Sequence, residues 1–186
     1  MDQEISASGS AELDNGFTVS LSHGLSGSGA EGSDTSSITL DMGDMGSLYY
    51  NDTDGHGGLA GLEDKMPKAY EEANDGLGTS ATAATMAKMA SGAGFGYSTS
   101  VGGATVSVGY SDNLGATTNR SDGSQDTTAT SVDSSSSVAI TYPLEDLGLT
   151  VFAGIGEEGQ ADGKELDHTT FGATYAFGPA TVGYQI

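Results

Sequence analysis

Large apolar side chains fall at every second position along most of this chain. Phe17, Val19, Leu21, His23 and Leu25 alternate with Thr18, Ser20, Ser22, Gly24 and Ser26. The pattern returns in Ile38, Leu40, Met42, in Leu48, Tyr50, in Phe95, Tyr97, Thr99, Val101 and in Val106, Val108, Tyr110. It recurs as Val138, Ile140, Tyr142, as Leu149, Val151, Ala153, Ile155, as Phe171, Ala173, Tyr175, Phe177 and as Val182, Tyr184, Ile186. A period of two puts each apolar set on one face of a β-strand and the Ser/Thr/Gly set on the other. A weaker opening segment sets Ile5, Ala7, Gly9, Ala11 and Leu13 against Glu4, Ser6, Ser8, Ser10 and Glu12. The spacing predicts ten strands, over 2–13, 17–28, 35–42, 47–51, 93–101, 104–111, 134–142, 148–156, 167–177 and 180–186.

The connections alternate as strictly as the side chains. Asp14-Asn15-Gly16, Gly43–Gly46, Gly102-Gly103, Pro143–Leu147 and Gly178-Pro179 carry the residues of tight turns. Between them lie longer links at 29–34, 52–92, 112–133 and 157–166. A soluble β-sandwich has no such two-ended asymmetry. A transmembrane barrel has it, with short turns at one end, long loops at the other, apolar residues facing lipid and polar ones facing the lumen. The polar faces here are almost all Ser, Thr, Gly and Ala, too small and polar for a dry core but compatible with a water-filled one. Tyr50, Tyr97, Tyr110, Tyr142 and Tyr184 stand near strand ends, where an interfacial aromatic girdle belongs. The pattern predicts an all-β fold, an antiparallel transmembrane β-barrel of the outer-membrane kind.

Composition narrows the function classes. The 186 residues include 26 acidic and 5 basic side chains, a formal charge of −21, which excludes a general nucleic-acid binder. No apolar run approaches the ~18 residues of a transmembrane helix. The absence of cysteine removes disulfide frameworks, thiolate zinc sites and thiol catalysis. The 30 glycines and abundant Ser, Thr and Asp would suggest disorder, were the apolar positions not so regularly placed.

With that order in view, the chain resembles the general porins of Gram-negative bacteria, most closely the acidic, glycine-rich alphaproteobacterial type. Leu13-Asp14-Asn15-Gly16-Phe17-Thr18-Val19-Ser20 is similar to a turn and following strand of those porins. Asp44-Met45-Gly46-Ser47-Leu48-Tyr49-Tyr50 resembles the segment before their long third loop, and Phe171–Tyr184 resembles a porin hairpin. The similarity runs over the whole chain through the order and spacing of short motifs.

The resemblance implies a barrel of about sixteen strands, usually a homotrimer in the cell outer membrane, in contact with the lipid bilayer and lipopolysaccharide. It implies a water-filled pore for passive diffusion of small hydrophilic solutes and ions, with no reaction to catalyse and no required cofactor. Residues 1–186 then form a single, incomplete barrel domain with 52–92 as the inward-folding constriction loop. That link follows the fourth predicted strand, whereas the family's loop follows the fifth. The chain also ends without the family's terminal aromatic and shows no signal peptide. A partial chain covering about ten of sixteen strands is therefore expected, with a closed ten-stranded barrel as the alternative.

In the family, loop carboxylates face basic side chains on the opposite wall. Segment 52–92 supplies Asp52, Asp54, Glu63, Asp64, Glu71, Glu72 and Asp75 together with Lys65, Lys68 and Lys88. Outside it the cations are Arg120 and Lys164, both in other predicted loops, so a uniformly negative pore would favour cations. The segment 79–90 suits either a short helix or a partial strand. Calcium is a possible ligand of three Asp-rich turns, around Asp52 and Asp54, around Asp122 and Asp126, and over 162–167. None fits a twelve-residue EF-hand loop, and Asp-Gly turns are common without metal.

His23, His56 and His168 lack metal-ligand partners at standard spacing. His23 falls on the outward face with Ala7, Gly9 and Ala11, which predicts that the first two strands face a neighbouring protomer. Two rival functions remain. An omptin-like protease would need a histidine and carboxylates at the outer rim, where only His56 and His168 are available. A secreted, acidic, calcium-stabilised adhesin, β-solenoid or surface-layer protein would explain acidity and Gly/Asp turns, but a solenoid needs a fixed repeat period that these strands lack.

Overall fold

A computed structural model describes residues 4–26, 35–51, 57–67, 94–111, 118–119, 125–126, 134–159 and 165–186. The strands are β1 (Glu4–Glu12), β2 (Thr18–Ser26), β3 (Thr35–Asp41), β4 (Ser47–Asn51), β5 (Gly94–Val101) and β6 (Ala104–Ser111). They continue as β7 (Thr118–Asn119), β8 (Gln125–Asp126), β9 (Ser135–Leu144), β10 (Leu149–Gly159), β11 (Glu165–Phe177) and β12 (Ala180–Gln185). Ten of them build one antiparallel sheet in the order β1-β2-β3-β4-β5-β6-β9-β10-β11-β12, while β7 and β8 pair separately. Among the described residues the sheet is not closed on itself, and β1 and β12 are its edges.

Register follows from the alternation, because a slip of one residue would exchange the two faces of a strand. Val138 lies opposite both Val108 and Ile155, and Ile140 opposite both Val106 and Ala153. These residues share one face with Leu21, Ile38, Leu48 and Phe171, and that face is largely exposed: Ile155 retains 59% of its surface and Leu21 55%. Gly154, Gly156 and Glu158, between the outward residues of β10, are buried on the other face. The sheet is thus inverted relative to a water-soluble protein, with its large apolar side chains pointing away from its buried side.

Aromatic residues mark both ends of the outward face. Tyr50, Phe95 and Tyr110 are successive cross-strand neighbours beside the long links, with the Tyr50 and Phe95 rings 5.1 Å apart and tilted by 55°. Tyr142 and Tyr175 stand two or three residues from the tight turns at the opposite end. Tyr97 donates its hydroxyl proton to the carbonyl of Met45 in the β3–β4 turn.

The turns take the predicted places. Gly102 and Gly103 both have positive φ, 59° and 84°, the requirement of the two-residue hairpin turn whose twist matches its strands. Strand ends differ in detail. β9 runs on to Leu144 through Pro143, which pairs with Thr150 of β10 after the β6 ladder has ended at Thr141. The missing N–H of Pro143 therefore leaves no ladder bond unmade on that side. β10 extends to Gly159, beyond the predicted end, because Gly156–Glu158 keep register with Ser135–Ser137 although their side chains no longer alternate in polarity. The β7–β8 pair lies inside the link predicted to have no strands, where no apolar alternation signals it.

Candidate functional site

The polar face carries a strap. Residues 57–67 cross it, beginning with a 3₁₀ helix over Gly58–Lys65. Three residues per turn place Leu59 and Leu62 on one side of that helix. Both are fully or almost fully buried, forming a cluster with Ala139 of β9 and Phe152 of β10, against which Met66 packs. Phe152 is the one large apolar residue of β10 that points to the polar face, out of phase with Val151 and Ile155. The cluster is the apolar anchor of an otherwise hydroxyl- and glycine-lined surface.

Polar contacts fasten the strap along its length. The Gly58 amide donates to Ser107 Oγ of β6 at 2.8 Å, and the Leu59 amide donates to Ser137 Oγ of β9 at 3.1 Å. These serines accept protons from the start of a helix, whose first amides have no partners within it. Further along, Gln185 Nε2 of β12 donates to the Leu62 carbonyl and to Thr170 Oγ1, both at 3.2 Å. Thr170 in turn donates to the Ile186 carbonyl at 2.7 Å.

Glycines make room for this crossing. A Cβ on Gly183 would stand 2.5 Å from Pro67 Cδ and 3.0 Å from Met66 Sδ, and one on Gly172 would stand 2.5 Å from the tip of the Phe152 ring. The strap and its aromatic anchor therefore lie in grooves that side chains would fill.

Between the strap and the β4–β6–β9 wall lies a cavity of about 300 Å³. The wall presents Tyr49, Ser98, Thr105, Ser107 and Thr141, and the strap presents Lys65. Among the described residues Lys65 is the only lysine or arginine. The described wall thus offers hydroxyls, rather than cations, to the strap.

Of the residues singled out in 52–92, Glu63 and Asp64 lie in the backbone of the 3₁₀ segment and Lys65 at its end. Asp52, Asp54, Lys68, Glu71, Glu72, Asp75 and the segment 79–90 fall outside the described residues, as do Asp122, His56, Lys88, Arg120 and Lys164. Asp126 forms part of the short β8 backbone. Among the described residues no group of three or more His, Asp or Glu is arranged to hold a metal.

The two described histidines have partners that spacing alone hides. His168 Nε2 stands 3.4 Å from Glu158 Oε2 on the polar face, where Glu158 is only 3% exposed. His23 Nδ1 stands 2.6 Å from Ser36 Oγ on the outward face, beside a notch of about 520 Å³ that also meets Ala7, Gly9 and Ile38. Phe152, Leu59 and Leu62 had weak signals in the sequence: an aromatic breaking the phase of its strand, and two leucines three residues apart in a long link.

Strand order, inverted faces and strap together define a porin-like fold. No protein-family model matches the chain, and no curated protein matches it in sequence. Solved structures do match. A multiply substituted form of the Rhodobacter blastica porin is similar over 99% of this chain, with a TM-score of 0.53 and 15% identity. The chain spans 63% of that porin's length. Another substituted form of the same porin covers 99% of the chain and 73% of its own, at a TM-score of 0.40 and 15% identity.

Proposed function

We propose that this chain builds the wall and constriction of an outer-membrane channel through which small hydrophilic solutes and ions diffuse passively. The observation that carries the reading is the combination of an outward apolar face with a hydroxyl-lined face crossed by a strap. Apolar surface on this scale needs lipid or protein against it. A membrane wall satisfies it on one side while water fills the other.

On this reading 52–92 is the constriction loop, of which 57–67 is the part that lies against the wall. Asp52, Asp54, Glu63, Asp64, Glu71, Glu72 and Asp75 set its negative field, with Lys65 and Lys68 as local exceptions. The net charge of −21 then favours cations. The long links face outward towards lipopolysaccharide and the tight turns face the periplasm. The chain works in a homotrimer, and calcium at Asp52, Asp54, Asp122 and Asp126 is an accessory at most. No step of this function is catalytic.

The test is planar-bilayer conductance of the whole protein from its native membrane, under a salt gradient. Stepwise ohmic insertions with a cation-selective reversal potential are expected. Silence from folded, heat-modifiable protein would overturn the channel and favour a secreted adhesin.

A further inference from the structure

The cavity beneath the strap has a chemistry that a bare constriction does not require. Its wall side is a patch of hydroxyls: Ser98 and Ser107 are register partners across β5 and β6, and Thr105 and Thr141 are partners across β6 and β9. Tyr49 adds a fifth, hydrogen-bonded to Ser107. The Cα atoms of partners on adjacent strands lie about 4.5–5.5 Å apart, so their hydroxyls fall within reach of different hydroxyls on one six-carbon chain or ring. Each hydroxyl can donate and accept, whereas the Lys65 ammonium only donates. The volume, about 300 Å³, is at the lower end of small-ligand sites.

We propose that this cavity is a binding subsite for small polyhydroxy carboxylates of the sugar-acid class. The solute's carboxylate pairs with Lys65, and its hydroxyls meet Ser98, Thr105, Thr141 and Tyr49. The proposal rests on the channel reading and deepens it by naming a solute class. Lys65 is the one lysine or arginine among the described residues and lines this cavity, so it supplies the positive charge that a carboxylate bound there would meet. The hydroxyl patch distinguishes a sugar acid from a simple anion, because acetate can use the lysine alone and glucose the hydroxyls alone. A charge-assisted hydrogen bond is about twice as strong as a neutral one, so both halves contribute to retention. An affinity on the order of 1 mM is expected for a ligand of this size.

The probe is gluconate, added to single channels of the whole protein in bilayers at about 0.1 M salt, where charge is not fully screened. Gluconate is expected to interrupt the current at millimolar concentration, and glucose and acetate only at about tenfold higher concentration. Lys65→Ala should weaken the gluconate effect about tenfold, with Lys65→Arg retaining it and Thr141→Val weakening it less. Ohmic conductance with equal effects of all three solutes, or with gluconate block unchanged in Lys65→Ala, overturns the subsite and leaves the channel standing. Absence of conductance overturns the channel and the subsite together.

Discussion

Leu59 of the strap lies over Gly154 of β10 so closely that a Cβ on the glycine would stand 2.8 Å from the leucine's Cδ2. Leu62 Cδ1 and the Val138 carbonyl would stand 3.1 Å from the same atom. The floor of the strap's anchor is therefore a missing side chain. Gly154→Val should overpack this contact at a cost of about 1–3 kcal/mol, borne by the strap rather than by the wall. The checks are faster limited proteolysis within 57–67 and altered conductance, with the heat-modified gel shift of the barrel retained. An unchanged cleavage rate would refute the anchor.

Which face meets lipid is decided by a charge. Val138→Arg, on the outward face of a central strand, should destabilise the folded protein by about 2–4 kcal/mol if it sits near the bilayer midplane. Ser100→Lys, on the polar face of β5, should change it little. Urea titration of the protein in lipid vesicles measures both, and the opposite ranking would invert the proposed orientation.

His23 and Ser36 form a polar pair at a notch in an otherwise apolar face, which suits a protein neighbour better than acyl chains. His23→Leu removes a hydrogen bond worth about 0.5–1.5 kcal/mol. In the homotrimer proposed above, it should lower the dissociation temperature in detergent by roughly 2–5 °C. A rise would mean that the notch faces lipid.

Glu158 is buried with the His168 imidazole as its described neighbour. The imidazole stands 3.4 Å from the carboxylate without a hydrogen bond to its Nε2, so His168→Ala removes an electrostatic and packing neighbour and should cost about 0.5–3 kcal/mol. Glu158→Gln should soften that loss, so the double variant should be more stable than the sum of the two singles predicts. A thermal double-mutant cycle reads the coupling, and strict additivity would separate the two residues.

The wall of this protein was legible in the order of its residues because a strand writes its two faces into alternate positions. Val138, Ile140 and Tyr142 announce β9, and Gly102-Gly103 announces the turn between β5 and β6, using only local information. The strap was legible only as a long link. Leu59 and Leu62 find Phe152 some ninety residues later, and their only local traces are a three-residue spacing and one aromatic out of phase. The pairings of His168 with Glu158 and His23 with Ser36 were likewise hidden, because adjacent strands bring together residues that a metal or catalytic spacing rule would not connect. Pro143 misled in the other direction: it looks like a strand end but sits where one ladder has already stopped.

The bond from Gln185 to the Leu62 carbonyl joins residues 123 positions apart. It fixes an order of events as well as a position. The strap cannot make this bond until the β11–β12 hairpin has joined the sheet, so its docking follows the pairing of those strands. Contacts of such long sequence separation slow folding, because loop closure must precede the interactions that reward it. During biogenesis these ten strands are therefore paired before the crossing is tied down.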